Sequence, residues 1–248
     1  MPEHCVSSPP PILYVRSIEE QLKDFRSSVA PEIGTRGTNS IFKHSTLLAV
    51  SDTDTLFEIG YMLMHYYHVE ESLYEVALSR NPAMDNCFSH NFHHLELLYA
   101  CLQSNKMFFE TFFAIPENRY VCFSLATWTQ ITHSAMILQI LSTFEHPDWN
   151  VAYVRETIDF MEVMDKMIER FNKVEGQAFA RTASKLASIK AHIQERMATD
   201  VIGPRPGSLT GEDADMDRTW EPINFLDESL LADVLGPLDL QFTNSCIS

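Results

Sequence analysis

Apolar side chains recur at steps of three and four along most of the chain up to about residue 200, the spacing of helices that bury one face. Val15, Ile18, Leu22 and Phe25 form such a stripe over residues 12–27. A second helix is expected to open at Ser51-Asp52-Thr53-Asp54, whose side-chain oxygens can take up the free amides of a helix start. It runs to about Leu78 with Leu56, Ile59, Leu63, Tyr66, Tyr67, Leu73 and Val76 inward, and Asn81-Pro82 closes it. The third, from about His90 to Phe113, carries the wide apolar face of Phe92, Leu95, Leu98, Tyr99, Leu102, Phe109 and Phe112.

A fourth segment, about Phe123 to Thr143, turns Trp128, Ile131, Ala135, Leu138 and Leu141 to one side. The fifth starts after Asp148 or Asn150 and continues through Val151, Val154, Ile158, Met161, Met164 and Ile168 to Phe171. Gly176 interrupts the pattern. A sixth, about Ala178 to Ala198, uses Phe179, Ala183, Leu186, Ile189 and Ile193. No β-type alternation is sustained, and the linkers are short. The expected fold is all-α, a multi-helix bundle or array of about six main helices with a flexible acidic C-terminal tail.

The tail begins where the composition changes. Val201-Ile202-Gly203-Pro204-Arg205-Pro206-Gly207-Ser208 stops the last helix, and from 201 to 248 nine acids face only Arg205 and Arg218, a net of −7. The expected organisation is a disordered start over 1–11, a helical regulatory domain over 12–200, a flexible linker over 201–219 and an acidic amphipathic tail over 220–248. In that tail Asn224 can cap a short helix on which Leu226, Leu230, Leu231, Val234 and Leu235 share a face, with Trp220 and Phe225 beside it. So short a helix does not hold alone and must fold against something. Acids interleaved with large apolar residues are the composition of an activation segment that folds on a partner. The same helix could equally close as a lid on its own bundle.

Charge narrows the functional classes. The 248 residues carry a formal net charge of −16, with 18 Lys and Arg against 34 Asp and Glu. Such a surface repels phosphate, and no basic run offers a track for nucleic acid, so direct nucleic-acid binding is not expected. No apolar run approaches the roughly 18 residues of a membrane span, and the start of the chain does not read as a secretion signal. Cys5, Cys87, Cys101, Cys122 and Cys246 are scattered, which predicts reduced thiols rather than a disulfide framework.

The richest candidate for chemistry is His90, His93 and His94, with His65 and His68 as neighbours. Imidazoles at i, i+3 and i+4 share a helical face, a workable spacing for a metal ion. No acid completes the set before Glu96, and polar residues are common at a helix start, so the cluster reads as structural. Asp52 and Asp54 read as a helix cap rather than half of a diphosphate clamp. Nucleophile elbows, phosphate-cradling glycine loops and paired-cysteine motifs are absent from the sequence. These residues assign no catalytic group, no metal ligand and no cofactor.

One stretch nevertheless carries a recognisable order. After a Phe-rich helix end come Ile115-Pro116, an aromatic at Tyr120, Phe123-Ser124, Trp128 and Gln130, His133, Leu141-Ser142, Pro147 with Trp149-Asn150, and Val154-Arg155. Tyr14-Val15-Arg16-Ser17, Gln21-Leu22, Phe25-Arg26 and the run from His65 to Glu75 fit the same pattern upstream. The sequence resembles the C-terminal helical regulatory region of fungal zinc-cluster (Zn2Cys6) transcription factors. The DNA-reading module of that family needs six closely spaced thiolates, which five scattered cysteines cannot supply. The resemblance implies that Trp128, His133 and Trp149 hold neighbouring helices together, Trp149 in the corner between the fourth and fifth. It also implies a nuclear role, with the cytoplasm as a second compartment, and partners among other transcription regulators or the transcription machinery. The reading is a transcriptional regulatory module, not an enzyme, working through protein contacts. The alternative is a small helical metal- or ligand-binding enzyme of secondary metabolism that uses the histidine cluster.

Overall fold

A computed structural model of the chain describes residues 11–29, 53–78, 91–144 and 146–201. The tail residues Trp220, Phe225, Leu226, Leu230, Leu231, Val234 and Leu235 lie outside the described residues, as do His90 and the proposed cap at Ser51-Asp52. The fold is all-α, without strands among the described residues. Among the described residues seven helices follow one another: α1 (Pro11–Val29), α2 (Thr53–Tyr74), α3 (Asn91–Ala114), α4 (Leu125–Thr143), α5 (Val151–Thr157), α6 (Phe160–Lys173) and α7 (Gln177–Val201). Short 3-10 helices, Glu75–Leu78 and Glu117–Cys122, extend α2 and precede α4.

The expected fifth helix is two. Ile158 adopts an extended backbone, φ −157° and ψ 120°, and closes α5, while Asp159 accepts from the Glu162 amide and starts α6. An aspartate offering its carboxylate to a free amide competes with continuation of the helix and wins at this point. Of the two caps considered for α5, Asn150 is the one used, accepting from the Tyr153 amide. Gly176 sits at φ +131°, a conformation that disfavours any side chain, and separates α6 from α7.

The chain divides into two compact units, 1–116 with 133–158 and 117–132 with 159–248, so the boundary falls inside α4. In the first, α2 and α3 pack along their length through Leu63, Met64, Tyr67, Leu98, Leu102, Phe108 and Phe109, all buried. The α1 stripe is less buried than expected. Val15 is covered and Leu22 half-covered, but Ile18 and Phe25 are 44% and 55% exposed, and Arg26 links α1 to α2 by lying over the Tyr66 and Tyr67 rings and donating to the Tyr67 hydroxyl. A guanidinium on an aromatic face supplies contact that a strictly apolar stripe does not register.

In the second unit, α6 and α7 form an antiparallel-type hairpin over Gly176, burying Val163, Met164, Met167, Phe171, Phe179, Ala183 and Leu186. Lys190 pairs with Asp165 between the two helices. Among the described residues no helix is long and apolar enough to cross a membrane.

Candidate functional site

The most unusual chemistry lies inside the first unit, where α2, α3 and the second half of α4 bring polar side chains into the interior. Glu71 is fully buried. Steps of three and four put His68, Glu71 and Glu75 on one face of the α2 helix and the 3-10 turn that follows it. Asn105 of α3, also fully buried, donates from Nδ2 to Glu71 Oε1 and, at 2.7 Å, to the Ser134 carbonyl. Ser134 donates from Oγ to Glu71 Oε2 at 2.5 Å. His68 Nδ1 lies 3.6 Å from the same carboxylate, and no arginine or lysine among the described residues pairs with it. Removing a carboxylate from water without a compensating cation costs several kcal/mol, roughly, unless donors surround it, so Asn105 and Ser134 are what make Glu71 tolerable there.

His133 completes the group from α4. Its Nε2 stands 2.9 Å from Glu75 Oε2, and its ring meets that of His68 edge to face with centroids 5.2 Å apart. The Glu75 carboxylate raises the His133 pKa above the ordinary histidine value, against the opposing effect of burial. The Nδ1 atoms of His68 and His133, Asn105 Oδ1 and Glu75 Oε2 are buried without a partner of hydrogen-bond geometry, so Glu75 meets His133 as an ion pair. A neighbouring acid, Glu70, is satisfied by the Tyr66 hydroxyl at 2.8 Å and Ser104 at 3.1 Å. Cys101 lies close by with its thiol pushed well above the usual value by burial, which leaves it a packed, protonated side chain.

The histidines singled out in the sequence are distributed differently. His94 is tied through Nε2 to the Ala77 carbonyl at 2.6 Å, and the side chains of His90 and His93 lie outside the described residues. His65 meets the Tyr61 ring. Of the described side chains in that set, His68 enters the buried group, and the other members Glu71, Glu75, Asn105 and Ser134 were not singled out as a site. The spacing His68-x2-Glu71-x3-Glu75 was a readable signal, and so was an asparagine inside the apolar run of α3.

The family-pattern residues fall into both units. In the first, Ile115 is buried, Pro116, Pro147 and Arg155 are exposed, and Trp149 is buried with its indole N–H donating to the Leu141 carbonyl at 2.9 Å. The Trp149 ring stacks obliquely on Tyr99, centroids 4.8 Å apart. In the second, Ser124 caps α4, its Oγ accepting from the Thr127 amide at 3.3 Å, and Gln130 is half-buried. Phe123 and Trp128 join Tyr120, Phe171 and Phe179 in one aromatic cluster, with the Trp128 ring 5.5 Å from Phe123, 5.6 Å from Phe171 and 5.8 Å from Phe179. Arg170 donates to the Tyr120 hydroxyl at 2.6 Å and approaches Glu117 at 3.7 Å, binding the 3-10 turn to α6. Burial pushes the Tyr120 pKa up to about 12. Cys122 departs from the expectation of reduced thiols, being disulfide-bonded.

Kinship is shown over a stretch that runs through both units. The family model of a C-terminal domain, ATEG07667_C, matches residues 117–243, just over half of the chain. The chain belongs to this family. It is 37% identical over 113 residues to the transcription factor opdL of Penicillium oxalicum, a match covering 46% of this chain and 19% of that protein. With a transcription factor of Aspergillus terreus it shares 23% identity over 166 residues, 67% of this chain and 26% of the relative. The family is thus a C-terminal domain family of fungal transcription factors, and the matches span about a fifth to a quarter of these relatives' lengths. No solved structure matches the chain.

Proposed function

We propose that the chain is a non-catalytic regulatory module of the zinc-cluster type of fungal transcription factor, acting in the nucleus by contact with other regulators or with the transcription machinery. The observation that carries this reading is the family match over residues 117–243, a stretch that includes the aromatic cluster and most of the acidic segment. A transcriptional role comes from the relatives, both named transcription factors. Contact with protein rather than DNA is favoured by the net charge of −16, since a phosphate backbone is repelled by such a surface. The tail from 220 to 242 supplies the contact, its Leu226, Leu230, Leu231, Val234 and Leu235 face folding into a partner groove while its acids keep the free segment soluble.

Fusion of the chain to an unrelated DNA-binding domain, with and without residues 220–248, tests this with a reporter gene. Removal of the tail is expected to lower reporter output severalfold at equal protein level. Unchanged output would end the activation role of the segment, and increased output would identify it as a lid over its own domain.

A further inference from the structure

We propose that His68, Glu71 and His133 form a binding site for a divalent transition-metal ion of the zinc class, held from behind by Glu75, Asn105 and Ser134. This departs from the sequence expectation, which assigned no metal ligand, and it is independent of the transcriptional reading. One ligand atom from each of the three residues lies within 4.8 Å of the others. Two imidazole nitrogens and one carboxylate oxygen are a donor set suited to zinc and its neighbours, whereas magnesium and calcium favour oxygen alone.

Three features of the group are those of a ligand set rather than of an ordinary buried ion pair. First, Glu71 is fully buried, and the donors that meet it are neutral amide and hydroxyl groups. They fix the carboxylate in place and leave its charge to be balanced. Second, His68 Nδ1 and His133 Nδ1 are buried and make no hydrogen bond, although an imidazole nitrogen in an interior normally finds one. Third, His133 Nε2 faces Glu75 Oε2 at an ion-pair distance of 2.9 Å, which leaves Nδ1 as the nitrogen turned to the ion. A carboxylate on the far nitrogen orients a ligating imidazole and raises its basicity. Donor atoms around a tetrahedral zinc ion sit roughly 3.3 Å apart, so closure asks for modest ring rotations. The side chains of His68 and His133 are 16% and 32% exposed, which gives the rings room and the ion a way in.

The test uses the 248-residue chain, stripped with chelator and titrated calorimetrically with Zn2+, and in parallel with Co2+ to read the coordination by visible absorption. The expected result is one saturable Zn2+ per chain and a cobalt spectrum of nitrogen and oxygen ligands. His68→Gln and His133→Gln should each weaken binding at least tenfold, and Glu75→Gln by about 10–100-fold, with the helical circular dichroism unchanged. The wild-type cobalt spectrum decides the matter even where a variant fails to fold. Absence of saturable binding to the folded chain overturns the proposal. So does a thiolate charge-transfer band, binding that survives the double change at His68 and His133, or binding lost instead on His93→Ala with His94→Ala.

Discussion

The two units bury their interiors by different means. The first surrounds a charged residue with polar partners drawn from helices distant in sequence: Glu71 meets Asn105 and Ser134, 34 and 63 positions away. The second collects rings, with Tyr120, Phe123, Trp128, Phe171 and Phe179 joined in one cluster and Arg170 at its edge. The hydrophobic part of aromatic burial is non-directional, so it contributes stability first. A hydrogen-bonded carboxylate contributes little net stability but permits one arrangement of its donors, and so specifies how α2, α3 and α4 meet. A stable scaffold needs only the former, whereas a site needs the latter.

The contrast breaks most sharply with Phe171→Ala. Truncating this buried ring should cost about 3–5 kcal/mol in chemical denaturation. Hydrogen exchange should show the loss of protection concentrated in α6 and α7, and equal loss throughout α2 and α3 would mean that the units do not open separately. Next comes a matched pair of changes that keep the number of side-chain heavy atoms. Met167→Leu in the ring-rich unit should cost under about 1.5 kcal/mol, while Asn105→Leu should cost about 1–3 kcal/mol because Glu71 Oε1 and the Ser134 carbonyl lose their donor. Equal midpoints for the two variants would erase the distinction between the interiors. The smallest effect is local: Asp159→Ala removes the cap that divides α5 from α6 and should cost about 1 kcal/mol, with a small gain in helicity over 157–160 if the two helices then fuse.

Much of the scaffold was legible residue by residue. The α4 stripe, the break at Gly176 and the cap at Asn150 each depend on side chains within one or two turns, and the structure has them where the spacing put them, whereas on the α2 and α3 helices Leu73, Val76, Leu95 and Tyr99 are only half-buried and Met64, Tyr74, Ala77 and Phe108 are buried as well. The division at Ile158 and Asp159 was missed because an apolar repeat continues across it, although Asp159 three positions before Glu162 was a start signal in plain view. On the α1 helix the stripe was real but only partly used, since its partner surface offers aromatic faces to Arg26 and leaves Ile18 and Phe25 half outside.

The candidate site was less legible. Attention to histidines at helical spacing led to His90, His93 and His94, whereas the structure spends His94 on a backbone carbonyl and gathers His68 with His133 from 65 positions further on. Within a helix, residue types and their period determine which groups share a face, because the geometry repeats every 3.6 residues. Helix identity, caps and the acidic character of the tail follow from that local rule and from composition. Which buried face meets which is a matter of packing between segments dozens of residues apart, and a one-turn shift of α4 along α2 would preserve every stripe while separating His133 from Glu75. The pairing of charge with imidazole therefore exists only in the assembled fold.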